Sequence, residues 1–139
     1  MIASGRVNEA ARHFQKIIEI NPVFLNSQNP DLENNAAWAL ATNPEPAKRN
    51  GKIAVILAEA ACRQTHFKTT IMVGTLAAAY AEVERFDDAI STEQKACALA
   101  AEVGENNLLK KNRELLAIYL KHMPYREEPD TSTQTGGLK

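Results

Sequence analysis

The sequence predicts an all-α chain built from paired helices, and three observations predict it. First, Ala54-Val55 with Ala61-Cys62 returns as Ala89-Ile90 with Ala96-Cys97, displaced by 35 residues, and a weaker copy stands at Ala10-Ala11 with Ile17-Ile18. Second, apolar residues recur at helical spacing along most of the 139 residues. Third, the stripes are interrupted where proline, glycine and asparagine gather. Self-similarity at a period of about 34 residues marks helical repeat arrays. Such units more commonly present a surface to a partner than enclose a catalytic pocket.

Each element follows from local chemistry. Asn8 to Ile20 carries Ala10, Ala11, Phe14, Ile17 and Ile18 on one helical stripe, and Asn21-Pro22 stops it. Val23 to about Asp31 turns to Asn, Ser, Gln and Pro and reads as a loop. Leu32 to Thr42 is a short helix with Trp38 and Leu40, ended by Asn43-Pro44-Glu45-Pro46, since proline cannot donate into a helix. Asn50-Gly51 breaks the chain again before an alanine-rich helix from Lys52 to about Gln64. Thr69 or Thr70 caps a fourth helix, running to about Val83 with Val73, Leu76, Ala77 and Tyr80 on one face. The fifth runs from about Asp87 to Val103, its two leading aspartates suited to the positive end of the helix dipole and Gly104 to its stop. The sixth, about Asn106 to His122, puts Leu108, Leu109, Leu115, Leu116, Tyr119, Leu120 and Met123 on one face, and most of its charge on the other. That division describes a capping helix. Beyond Pro124 the tail, residues 124–139, offers almost nothing to bury and is expected to be disordered.

Composition narrows the function. Hydrophobic residues make up 45% and charged residues 24%, with a net charge of −1. Those are ordinary values for a globular chain, and no basic footprint points to nucleic acid. No apolar run has the length of a membrane span, and the N-terminus lacks the apolar core of a secretory signal. His13, His66 and His122 stand far apart with no metal-ligand spacing. Ser27, Ser91 and Ser132 lack a nucleophile-elbow context. Asp87-Asp88 are neighbours that do not face each other on a helix, so capping explains them; Lys110-Lys111 reads as a solvated face. The two cysteines, Cys62 and Cys97, hold equivalent places in two repeats. Packing as small apolar groups is the leading reading, with a disulfide or redox pair the alternative. No catalytic residue, metal or cofactor is expected.

The spacing of alanines and aromatics resembles the tetratricopeptide repeat, whose pattern is W-x2-L-G-x2-Y, then A-x3-F-x2-A and a closing proline. Val73, Leu76, Ala77 and Tyr80, then Phe86, Ala89 and Ala96, carry the likeness in residues 70–103, with Glu93 in place of the usual aromatic and Ala101 of the proline. Residues 35–68 contribute Trp38, Ala54, Ala58 and Ala61, and residues 5–22 contribute Gly5, Ala10, Phe14 and Pro22 as the second half of a repeat. The step from Ala10 to Ala54 is 44 residues, which an insertion at about Leu25 to Asn34 would explain. The resemblance covers about residues 5–123. It implies a right-handed helical-hairpin solenoid of about two and a half repeats, closed by a capping helix over residues 106–123. Runs such as Asn34-Asn35-Ala36-Ala37-Trp38 and Pro124-Tyr125-Arg126-Glu127 are also similar to the C-terminal ends of large bacterial repeat proteins, some of which follow a membrane-embedded glycosyltransferase.

The resemblance implies a concave face lined by the first helices, with Ala39, Asn43, Ile71, Gly74, Ala78 and Glu82 turned toward it. Two readings of Gly74 and Ala78 stand side by side: room for a peptide, or tight helix packing. The subclass that grips a terminal carboxylate needs basic residues where Gly74 and Ala78 stand, and is disfavoured. The expected function is a non-enzymatic module that binds a protein or peptide. The rivals are a spacer or self-association unit, whose open N-terminal edge would expose Phe14, Ile17 and Ile18, and the accessory end of a longer enzyme.

Overall fold

The computed structural model describes residues 4–20 and 29–129. The expected stop at Asn21-Pro22, the loop reading of residues 23–28, Ser27, Ser132, and the disorder expected of residues 130–139 lie outside the described residues, as do the side chains of Ala10 and Ile17. Six α-helices, α1 (Ser4–Ile20), α2 (Pro30–Thr42), α3 (Gly51–Gln64), α4 (Thr70–Glu82), α5 (Phe86–Val103) and α6 (Asn106–Leu120), account for most of the described chain, with one 3-10 turn at Pro46–Lys48 and no strand among the described residues.

Each helix packs on the next, and alternate helices also touch: α2 lies against α4, α4 against α6, and α1 against α3. The three helices α2, α4 and α6 therefore form one row. Alanine makes the close approaches possible: Ala54, Ala60, Ala61, Ala77, Ala79, Ala81, Ala89 and Ala96 are all fully buried. Helix α4 is the centre. Only Ile71, Tyr80 and Glu82 of its thirteen residues escape full burial, so the single apolar face expected of it is instead burial nearly all round. A helix hydrophobic on every side belongs inside a fold.

The connections explain where the repeat drifts. Asn29 caps α2, its side chain accepting from the Asp31 and Leu32 amides at 2.8 and 3.4 Å, and Pro30 occupies the first turn. A proline costs nothing there, because that amide has no partner within the helix. Residues 30–34 are thus helix, not inserted loop. The α1–α2 connection holds nine residues against five between α3 and α4, and the α2–α3 connection holds eight against three between α4 and α5. The extra residues split between two connections. Helix starts then pair Glu33 with Val73, Ala36 with Leu76, Ala37 with Ala77 and Leu40 with Tyr80, a step of 40, and Trp38 falls opposite Ala78 rather than Val73.

The α2–α3 loop is pinned in place. Arg49 donates to the Asn43 carbonyl at 2.7 Å, the Asn50 amide donates to Leu40 at 2.9 Å, and Asn50 caps α3 by accepting from Ile53 at 3.1 Å. Gly104 ends α5 in the left-handed conformation, φ 76°, where glycine pays no steric penalty.

At the N-terminal edge, Phe14 and Ile18 are buried in the main core, so two of the three residues expected to be exposed there are covered. Helix α6 also departs from the sequence expectation. It ends at Leu120, its buried residues are Asn112, Leu115 and Tyr119, and Leu120 and Met123 are exposed. The segment after α6 is the largest departure. Residues 124–126 are half-buried and lie back across the fold rather than leaving it.

Candidate functional site

The row of α2, α4 and α6 opens along one side into a cavity of about 460 Å³. Helix α2 contributes Asn34, Asn35, Trp38 and Ala39; α4 contributes Ile71 and Thr75; α6 contributes Leu108, Lys111 and Leu115. The lining is mostly apolar and carries two amides and one ammonium group. Ile71 is 53% exposed, a large apolar side chain held open to solvent on an otherwise buried helix. A concave apolar site with a few placed polar groups is the usual form of a binding site.

The six residues proposed from sequence divide. Ala39 and Ile71 line the cavity. Ala78 is buried, and a Cβ on Gly74 would stand 3.2 Å from the Asn112 Oδ1. Both therefore serve close helix packing. Asn43 closes the C-terminus of α2 and accepts the Glu45 amide through its side chain at 2.9 Å. Glu82 is held between two cations: Arg49 Nε at 3.3 Å and Arg126 Nη1 at 2.6 Å. It is engaged within the chain rather than offered to a partner.

Sequence reasoning read α6 as an outer cap and took the concave face from α2 and α4 alone, and so missed the seven other lining residues, Trp38 and Lys111 among them. The missed signal was in α2, where Asn34 and Asn35 interrupt an apolar helix with two amides beside the only tryptophan.

Next to the cavity, residues 125–127 cross the end of the row. The Glu127 amide donates to the Thr42 carbonyl at 2.8 Å. Trp38 Nε1 donates to Glu127 Oε1 at 2.8 Å, and the Trp38 and Tyr125 rings pack with centroids 5.7 Å apart. Lys111 Nζ sits 4.7 Å from the Tyr125 ring centroid, within cation–π range.

Behind the row lies a second polar group. Glu93 of α5 is fully buried and neither carboxylate oxygen has a hydrogen-bond partner; the same holds for Asn112 Nδ2 and the Tyr119 hydroxyl of α6. Burial pushes the Glu93 carboxyl up to about 8. Glu33 of α2 is likewise raised, to about 7, by burial, offset in part by the bond that Gln64 donates at 2.6 Å.

The cysteines are both free. Cys62 is buried, donates to the Met72 carbonyl at 3.3 Å, and its thiol is pushed up to about 12 by burial. A thiol held protonated is a poor nucleophile. Cys97 is half-buried, its thiol raised by burial and then by Glu93. Among the described residues no three His, Cys, Asp or Glu side chains are grouped to hold a metal, and no helix is long and apolar enough to cross a membrane.

No family model matches this sequence, and no curated protein or solved structure is significantly similar to it.

Proposed function

We propose that the chain is a protein-interaction module of the tetratricopeptide-repeat type, and that it seats a partner's segment on the face formed by α2, α4 and α6. One observation carries the reading: the row of alternate helices opens a largely apolar cavity lined by the exposed Ile71 and by the polar groups of Asn34, Asn35 and Lys111. The 35-residue echo between α3 and α5, the contacts between alternate helices and the alanines at their crossings support the repeat assignment. Apolar lining with a few amides suits a protein segment, whose side chains fill the cavity while its backbone meets the amides. Self-association through the N-terminal edge draws less support, because Phe14 and Ile18 are covered.

Photo-crosslinking tests the reading. A photoreactive side chain in place of Ile71 should trap a partner protein that the same group in place of Gln94, exposed on α5, does not. Ile71→Lys should abolish binding of that partner and leave thermal stability within about 0.5 kcal/mol, as for surface substitutions generally. Equal trapping from both positions, or none from Ile71, would count against the reading.

A further inference from the structure

We propose that the surface beside Trp38, next to the cavity, is a reading site for an aromatic–arginine–glutamate segment. In the free chain Tyr125, Arg126 and Glu127 cover that surface, and a partner segment of the same chemistry replaces them. The inference rests on the interaction reading above and names the partner that reading leaves open.

Three features support it. The segment has no secondary structure of its own and is held by side chains acting one at a time. Tyr125 packs on Trp38 beneath Lys111, Arg126 pairs with Glu82, and Glu127 accepts from the Trp38 indole. Each consecutive residue thus meets a group complementary to it in charge or shape. Its only main-chain bond to the helical row is Glu127 to Thr42. Side-chain contacts made residue by residue, with little main-chain bonding, give such a site its specificity.

The second feature is sharing. Trp38 and Lys111 line the cavity and also grip the segment. A partner that fills the cavity therefore competes for the two residues that hold Tyr125 and Glu127. The third is tethering. Only Lys121 to Pro124 separate α6 from Tyr125, so the resident segment acts at an effective concentration on the order of millimolar. A free competitor must displace that tethered segment, and weakening the segment's own contacts lowers the competition it faces.

The test uses the full chain and its single tryptophan. Arg126→Glu places a second carboxylate against Glu82 and should release the segment, changing Trp38 fluorescence and shifting its indole N–H resonance. The synthetic peptide Met-Pro-Tyr-Arg-Glu-Glu-Pro should then restore the native Trp38 signal. The native chain should respond to it at least about tenfold more weakly, because its own segment competes. The same peptide with glutamate for arginine should do nothing. Circular dichroism establishes that the variant remains folded, and Tyr125→Ser provides a second way to loosen the segment. Two results overturn the proposal: a folded Arg126→Glu chain with an unchanged Trp38 signal, or loosened chains that ignore the peptide at millimolar concentration. If the peptide fails while crosslinking from Ile71 still traps a partner, the segment's role falls and the interaction module stands. If the peptide binds and Ile71 traps nothing, the contact is internal to the chain and the partner proposal falls with the reading it rests on.

Discussion

Glu93 is the residue whose chemistry most departs from its surroundings. It is fully buried with no partner for either oxygen. From α6, Tyr119 and Asn112 face it; Gly74 of α4 brings the backbone near, and Cys97 lies one turn along α5. None of these is a cation, so the carboxyl escapes the cost of a buried charge by keeping its proton. The folded carboxyl titrates at about 8 against 4.5 when free. The folded state therefore holds the proton more tightly, and stability falls as pH rises. That loss starts above 4.5, grows until about 8, and then levels off. Glu33 adds a similar loss that ends near 7. A fall in the urea midpoint is expected between pH 7 and about 8.5, and Glu93→Gln tests how much of it belongs to Glu93. Glu93→Gln should abolish that fall and leave a chain more stable at about pH 8.5; each pK unit is worth about 1.4 kcal/mol, so the gain is on the order of a few kcal/mol. A wild-type midpoint unchanged across that range would show that the carboxylate is already charged and paired.

At the scale of elements, the joint between the α2–α3 loop and the end of α4 is the tightest. Sequence alone makes Asn50-Gly51 a break. In the fold Asn50 is a cap, and Gly51 is the first residue of α3 because nothing larger fits: an added Cβ would stand 2.7 Å from the Glu82 Cγ and 2.8 Å from the Val83 Cγ1. Gly51→Ala should gain a little helix propensity but destabilise overall, by about 1–3 kcal/mol, as overpacking does. Displacing Glu82 would also loosen its pairs with Arg49 and Arg126, so the Trp38 indole resonance should shift along with the melting temperature. A neutral Gly51→Ala would mean that Glu82 can step aside freely. This joint also shows what was legible in the sequence. The helix stripes were, because burial of Ala54, Ala61, Ala89 and Ala96 repeats at helical spacing. Helix ends fell within a few residues of their expected places. The start of α2 came two residues earlier than expected, since Pro30 looks like a loop residue until Asn29 is known to cap it. The inner face of α6 was not legible, where the polar Asn112 is buried and the apolar Leu120 is not. The crossing of residues 125–127 was hidden for a different reason: its contacts join residues as far apart as Trp38 and Glu127, and no local pattern encodes such a pairing. The candidate site was half visible. Ala39 and Ile71 follow from the helix register, whereas Lys111 and Leu108 required knowing that α6 extends the row.

Across the whole molecule the apolar interior is divided in two. The larger cluster joins α1 to α5, and the smaller one gathers Ala77, Ala81, Ala89, Leu115 and Tyr119 between α4, α5 and α6. Trp38 and Tyr80 pack against both. Tyr80 does most to join them. Its hydroxyl donates to Glu59 of α3 at 2.9 Å, Arg85 lies 4.4 Å above its ring, and its own backbone belongs to the central α4. Where helices contact mainly their near neighbours, stability is a sum of local units and the interfaces between them. Removing an interface residue should then cost cooperativity as well as stability. Tyr80→Ala should destabilise by about 3 kcal/mol, the low end for a large aromatic because the ring is only half-buried. Amide exchange in α5 and α6 should accelerate more than in α2 and α3, as the smaller cluster loses its tie to the larger. Tyr80→Phe keeps the ring and loses only the bond to Glu59, worth about 1 kcal/mol, so exchange should rise evenly across the helices. Equal exchange profiles for the two variants would mean that the ring does not join the clusters, and that α6 is held by its own contacts, Leu115 and Tyr119 among them.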